Sequence, residues 1–427
     1  MSKLLEQILD DTNILKAKKQ VYANRGASGV DGVTVQELDK YLEKHWKSIK
    51  EEIRERKYKP QPVRRIEIPK PNGGVRKLGI PTVIDRTIQQ AITQVLTPIF
   101  DPLFSEHSYG FRPKRRCEDA VVEFLEYLNE GYEWIVDIDL EKFFDNVPQD
   151  KLMSYVGRVI HDGDTESLIR RFLKAGVMER GIYSASELGT SQGGNISPLL
   201  SNIMLNELDK ELEKRGLHFV RYADDCVIAV KSEASANRVM FSITDWIGRK
   251  LALKVNMTKT HITRPSNLKY LGFGFYKSTK EKKWKARPHK DSLARLERKL
   301  KKLCKRNWSV DLTYRIKKLN EVIRGWINYY AITDMKKNME NIEGRLLTRI
   351  RIVIWKQWKT WRKREWGLKK LGVIPWQAKE FACMGDRYMK VMKIGTVRKA
   401  LGKEKLTKRG LVSPLDYYLE RHALKLG

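Results

Sequence analysis

Short β-branched runs and longer helical periods alternate along the first two thirds of the chain, and helical periods dominate the rest. Leu217-His218-Phe219-Val220 and Cys226-Val227-Ile228-Ala229-Val230 flank Tyr222-Ala223-Asp224-Asp225 and predict two strands of a buried hairpin. Trp134-Ile135-Val136-Asp137-Ile138-Asp139-Leu140 predicts a further strand that ends in carboxylates and runs into a helix. Apolar spacing predicts helices over Thr87 to Ile99, Cys117 to Asn129, a stretch near 150–174, and Ser197 to Arg215. Residues 1 to about 60 read as polar helix. A Pro-punctuated extended segment from Tyr58 to Pro81 follows, with Asn72-Gly73-Gly74 as a hairpin turn. Trp355, Trp358 and Trp361 recur among basic residues and read as one amphipathic helix with an aromatic inner face. Strands with carboxylates at their ends, interleaved with helices, fit an antiparallel sheet of α+β type.

Those carboxylates carry the first chemical implication. An Asp pair at a hairpin turn is an ordinary polar turn by itself. If Asp139 lies beside that turn, three carboxylates converge. Two such charges ~4 Å apart repel by ~4 kcal/mol at an effective dielectric of ~20. Hard oxygen donors without a neighbouring His or Cys suit Mg²⁺. Paired Mg²⁺ ions ~3.5–4 Å apart are how polymerases activate a 3′-hydroxyl, so the constellation is a candidate for nucleotidyl transfer.

Charge adds a partner. The 427 residues carry a formal charge of +32, which points to a polyanion. Residues 291–427 hold 35 Lys and Arg against 13 Asp and Glu, so most of the excess lies in the last third. Cys117, Cys226, Cys304 and Cys383 are too scattered for a zinc site or a disulfide framework and fit a reducing cytoplasm. No signal-peptide core and no apolar run of ~20 residues predicts secretion or a membrane span.

Nine blocks, taken in order, resemble the bacterial group II intron-encoded reverse transcriptases, or maturases. They begin with Asn24-Arg25-Gly26-Ala27-Ser28-Gly29-Val30-Asp31-Gly32, the segment Ile68 to Pro81, and His107-Ser108-Tyr109-Gly110-Phe111-Arg112-Pro113. The Asp139 block, Gly189 to Leu200, and the Tyr222 block follow. Leu253 to Thr260, Leu268 to Gly274, and Ile323-Arg324-Gly325-Trp326-Ile327-Asn328-Tyr329-Tyr330 complete the series. The resemblance implies a right-hand polymerase: an N-terminal extension and fingers over 1–81, a fingers/palm core over 82–290, and an α-helical thumb/maturase region over 291–427. It also implies an RNA-directed DNA polymerase serving group II intron RNA, with an RNA template, a DNA primer, dNTPs and target DNA as further partners. Larger relatives carry paired CxxC motifs of an endonuclease, which this sequence lacks. A cytoplasmic, nucleoid-associated protein is the corresponding expectation. The Arg324–Tyr330 segment and the basic tail favour this reading over a retron or diversity-generating enzyme. The intact aspartates argue against a decayed, purely splicing protein.

Residue roles follow from the resemblance. Asp139, Asp224 and Asp225 are the catalytic ligands of two Mg²⁺ ions, with the Leu140 carbonyl as a further contact. Asp137 stands behind them, and Asp145 is a cap or turn carboxylate. Lys70 and Arg76, on the basic hairpin, neutralise a triphosphate. Phe144 takes the position of the ring that excludes a 2′-hydroxyl, while Phe143 or Phe144 must also serve the core. Gln192-Gly193-Gly194 lets backbone approach the nucleotide, although Ser191 stands where the family usually has Pro, which would stiffen that loop. Lys259 is either a triphosphate contact or a solvated lysine. Tyr270-Leu271-Gly272 is either a primer-grip turn or a packing hairpin. The Asn24–Gly32 loop covers the template or is a plain turn, and most aromatics of Arg324–Tyr330 are thumb core.

Overall fold

The computed structural model describes residues 2–69, 73–191 and 193–426. Lys70 and Gln192 therefore lie outside the described residues. The chain forms two compact units, Met1–Arg264 and Pro265–Gly427, so the division falls ahead of the last hairpin.

In the first unit, β1 (Val63–Pro69) and β2 (Val75–Ile80) form an antiparallel hairpin. The third strand, β3 (Trp134–Ile138), belongs to a different sheet. The short strands β4 (Val177–Glu179) and β5 (Ile182–Ser184) extend the hairpin's sheet in the order β2-β1-β4-β5, with β4 parallel to β1. β6 (His218–Tyr222), β7 (Asp225–Val230) and β8 (His261–Thr263) complete the other sheet, antiparallel throughout, in the order β6-β7-β3-β8. Val136, Ile138, Phe219, Cys226 and Ile228 of this sheet join one core with the helices.

The helix Ser197–Lys214 carries Pro198 in its first turn and is buried nearly all round as far as Asp209, polar residues included. Among its buried polar residues Asn202, Asn206 and Asp209 are hydrogen-bonded, whereas the Ser201 hydroxyl finds no partner. The helix Val83–Phe100 is capped by the Thr82 hydroxyl, which accepts from the Asp85 N–H. In the Asn24–Gly32 loop, packing accounts for Gly29, where a Cβ would stand 2.6 Å from Thr82 Cα, while Gly32 has open space and a φ of +73°. Arg86 Nη2 donates to the Ala27 carbonyl at 2.6 Å.

Two helical expectations are corrected. The stretch near 150–174 is two helices, Gln149–Ile160 and Gly163–Leu173, broken at His161 (φ 47°), with Asp162 capping the second. The three indoles do not share one helix. Lys336–Gln357 ends before Trp358, and Thr360 caps a new helix, Trp361–Lys370. Trp355 is buried and donates Nε1–H to the Gly385 carbonyl, Trp358 lies against Gly367, and Trp361 is exposed. A spacing of three falls short of the 3.6-residue turn, so the indoles would drift round the helix. The Thr360 hydroxyl offers the backbone a competing partner at Lys363 N–H.

The second unit opens with the hairpin β9 (Phe273–Lys277) and β10 (Trp284–Pro288) and is otherwise helical. Among the described residues no helix is long and apolar enough to cross a membrane.

Candidate active site

Strand register places the acidic residues. Ile138 pairs with Cys226 on β7, and continuing that register by one residue sets Asp139 opposite Asp225. On the other side Asp137 pairs with His261, and Lys259, in the turn just before β8, sets its Nζ 3.0 Å from Asp139 Oδ2. Side chains alternate along a strand, so Asp137, Asp139 and Asp225 share one face of the sheet. Asp224 sits in the two-residue turn between the paired Tyr222 and Asp225. Ala223, the other turn residue, has φ +59°, a conformation uncommon for a residue with a Cβ.

Asp139 is fixed by its own backbone. Its N–H donates to the Thr260 hydroxyl at 3.1 Å, and its carbonyl accepts from Asn256 N–H at 2.8 Å. The Leu140–Val255 bridge beside it bonds through Asp139 C=O and Glu141 N–H, so those two bonds do not engage the Leu140 carbonyl.

The electrostatics show mutual strain. Burial raises the Asp224 carboxyl, Asp139 adds to the rise, and Arg76 opposes it. Although Asp225 keeps an exposed edge, the protein around it and then Asp224, Asp137 and Asp139 push its pKa up to about 6, against the pull of Lys259. Asp137 rises to about 6, chiefly through burial. These are oxygen donors whose negative charges destabilise one another, a donor set that fits a hard divalent cation. Among the described residues, no three His, Cys, Asp or Glu side chains close tightly enough to hold one ion. Asp139 is instead turned onto Lys259 Nζ, 3.0 Å away.

A profile described as "Reverse transcriptase (RNA-dependent DNA polymerase)" matches residues 68–275, and "Group II intron, maturase-specific domain" matches residues 293–372. "Protein YkfC" of Escherichia coli is 33% identical, over 61% of this chain and 79% of that protein. "Group II intron-encoded protein LtrA" of Lactococcus lactis is 31% identical, over 60% of this chain and 54% of that protein. The chain belongs to the group II intron-encoded reverse transcriptases. It spans about half the length of the lactococcal relative. A solved telomerase from Candida albicans overlays with a TM-score of 0.42 at 14% identity, covering 72% of this chain and 63% of that one.

Around the reverse transcriptase carboxylates, Arg76 on β2 is exposed and near enough for its charge to act on Asp224. Phe143 is core, whereas Phe144 is half-buried and meets Phe143 edge-on at 5.2 Å. The Phe144 carbonyl accepts from Thr190 N–H at 2.7 Å, which ties the Gly189–Ser191 loop to the Phe144 backbone. Gly193 (φ +124°) lies against β2, where a Cβ would stand 2.5 Å from the Gly79 carbonyl oxygen. Ser191 takes part in this loop through its carbonyl, which accepts from Gly194 N–H and the Ser197 hydroxyl. Asp145 pairs with Arg65 of β1 at 3.3 Å.

In the second unit, Leu271 (φ 51°) and Gly272 (φ 83°) form the turn leading into β9. Tyr329 of the helix Leu312–Tyr330 donates to the Leu271 carbonyl at 2.9 Å, and Tyr330 donates to Gly272 at 3.3 Å. Both rings also pack on Phe273. Ile323, Ile327 and Tyr330 are buried, while Arg324 is exposed.

A buried polar group behind the Ala223–Asp224 turn, made by Arg221, Asp209 and Asn202, escaped the sequence reading. Its signal was present: Asp209 lies four residues after Leu205 and three before Leu212, on the inner face of its helix.

Proposed function

We propose that this reverse transcriptase extends a DNA primer along an RNA template with dNTPs, at the carboxylate face of the β6-β7-β3-β8 sheet. The reading is carried by the register that sets Asp139 alongside Asp225, one residue from Asp224. Asp139, Asp224 and Asp225, with the Leu140 carbonyl, would hold two Mg²⁺ ions. Bound Mg²⁺ supplies the Lewis acidity that activates a 3′-hydroxyl and neutralises leaving pyrophosphate.

The chain's own residues orient the reactants. Arg76 and Lys70 offset triphosphate charge, and Lys259 can turn from Asp139 to the same phosphates. Gln192 and Gly193 let the nucleotide lie close to backbone. Phe144 fills the space under the sugar, so that a 2′-hydroxyl overpacks it. The basic thumb/maturase region, 291–427, grips intron RNA and target DNA through phosphates, in the cytoplasm at the nucleoid. Its binding then weakens steeply with salt.

Primer extension on an RNA template with dNTPs and Mg²⁺ tests this, with Asp224→Ala as control. Absence of product from the parent protein refutes the polymerase reading. The Asp224→Ala protein should still bind and splice intron RNA; failure there refutes the division of labour between the regions.

A further inference from the structure

Arg221 pairs with Cys226, which pairs in turn with Ile138. This row is one residue out of step with Asp139 and Asp225, so it faces the opposite side of the sheet. All three of its side chains are buried, and Arg221 and Asp209 are both fully enclosed. Arg221 therefore cannot reach substrate on the carboxylate face.

Its guanidinium is spent on structure around the turn. Nε and Nη2 donate to the two oxygens of Asp209 at 2.7 and 2.5 Å. Nη1 donates to Asn202 Oδ1 at 3.0 Å and to the Ala223 carbonyl at 2.8 Å. Asn202 in turn donates Nδ2–H to the Gly110 carbonyl at 2.8 Å. The backbone of Arg221 is clasped as well: its N–H donates to His107, and its carbonyl accepts from Tyr109, both at 2.9 Å. Gly110 then lies so close under the turn that a Cβ there would stand 2.1 Å from Ala223 N. Helix Ser197–Lys214 and segment 107–110 thus converge on Arg221, which alone among these hydrogen-bonded groups reaches the carbonyl of Ala223, the residue held at φ +59° immediately before Asp224.

We infer that Arg221 is a positioning residue: by holding the Ala223 carbonyl from behind the sheet, it sets the direction in which Asp224 and Asp225 present their carboxylates to metal. A strained turn persists only where its surroundings over-determine it. A rigid planar fork anchored on Asp209 supplies that constraint, which a flexible ammonium does not. The inference rests on the proposed metal role of the aspartates.

The test uses the full chain and the double variant Arg221→Met/Asp209→Leu. Replacing a buried ion pair by apolar groups of similar volume leaves no uncompensated charge, so folding is retained. The Ala223 carbonyl, however, loses its guanidinium donor. Direct Mn²⁺ binding, read by electron paramagnetic resonance, should weaken about tenfold, and kcat for primer extension should fall ~100-fold, as expected for misplaced reacting groups. KM for template–primer should stay within about twofold, because Arg221 is remote from substrate. Unchanged Mn²⁺ affinity in a folded double variant overturns the inference. If the double variant fails to fold, Asn202→Ala decides. It keeps the Arg221–Asp209 pair, loses one hydrogen-bonded tether at each end, and should weaken Mn²⁺ binding ~2–10-fold. Wild-type affinity in that variant overturns the inference too. A parent protein that binds Mn²⁺ but extends no primer refutes the polymerase reading, while the Mn²⁺ comparison still judges Arg221.

Discussion

Lys259, in the turn before β8, reaches Asp139 just past the end of β3, with Nζ 3.0 and 3.1 Å from the two carboxylate oxygens. The ammonium is well exposed, at 62%, and such pairs contribute little, about 0.2–1 kcal/mol. The lysine can therefore leave Asp139 at small cost when a stronger cation arrives. Lys259→Met should bind Mn²⁺ about 1.4–5-fold more tightly in the absence of dNTP, from that energy range. The same variant should extend primers more slowly, through loss of a triphosphate contact. Weaker Mn²⁺ binding by Lys259→Met would show that the lysine orders the site and does not compete for it.

Asp85 predicts a pH dependence away from the active site. Its carboxylate accepts from the Tyr58 hydroxyl and Thr82 Oγ1, both at 2.7 Å, and from Gln61 N–H, yet burial dominates and raises its pKa to about 6. A carboxyl raised in the folded state binds more protons folded than unfolded. Its contribution is full below the unfolded value, ~3.9, and is lost as pH rises through ~6. Chemical unfolding should therefore give a stability difference between wild type and Asp85→Asn that shifts against wild type between pH 4 and 6. The shift should reach at most about 3 kcal/mol, from roughly two units at ~1.4 kcal/mol each. A difference that stays flat over that range would mean that the three hydrogen bonds offset the burial.

Legibility in the sequence followed the length of each element and the reach of its contacts. The β6–β7 hairpin and β3 were readable because each run carries enough β-branched or aromatic residues to declare a period. The three-residue strands β4, β5 and β8 are too short to show one, and pairing with neighbours defines them. The break at His161 was foreshadowed by Asp162, whose side chain caps the next helix, but a continuous apolar period masked it. For the site, the aspartates were legible as residues and their neighbours were not. Lys259 meets Asp139, and Arg221 meets Gly110 through Asn202, only through registers and loop approaches spanning about a hundred residues of chain.

Phe144 predicts sugar selectivity. Its ring is half-buried, braced by Phe143, and its carbonyl is tied to the loop that leads to Gly193. Inserting a hydroxyl against a braced ring overpacks the site by about 1–3 kcal/mol, which is ~5–200-fold in discrimination. Phe144→Val should relax the dNTP-over-rNTP preference by about that factor, measured as a ratio of kcat/KM values. Thermal stability should fall modestly, because the core ring Phe143 remains. Unchanged selectivity would assign Phe144 to packing alone.

Gly110 offers a steric probe of the Ala223–Asp224 turn that changes no charge. A methyl group there meets the backbone of Tyr222 and Ala223, with the Ala223 nitrogen 2.1 Å away, and backbone cannot swing aside as a flexible side chain can. Either segment 107–110 backs off, stretching the Asn202 and Tyr109 hydrogen bonds, or the hairpin tip tilts and carries Asp224 with it. Overpacking of this kind costs about 1–3 kcal/mol in stability. The effect on chemistry should be larger, ~100-fold or more in kcat, because a displacement of about 1 Å at a reacting centre is enough for that. Gly110→Ala should therefore lose primer extension while keeping intron RNA binding, which is assigned to residues 291–427. If kcat falls only in proportion to the folded fraction, the turn does not sense Gly110, and the close approach serves packing rather than the alignment of the aspartates.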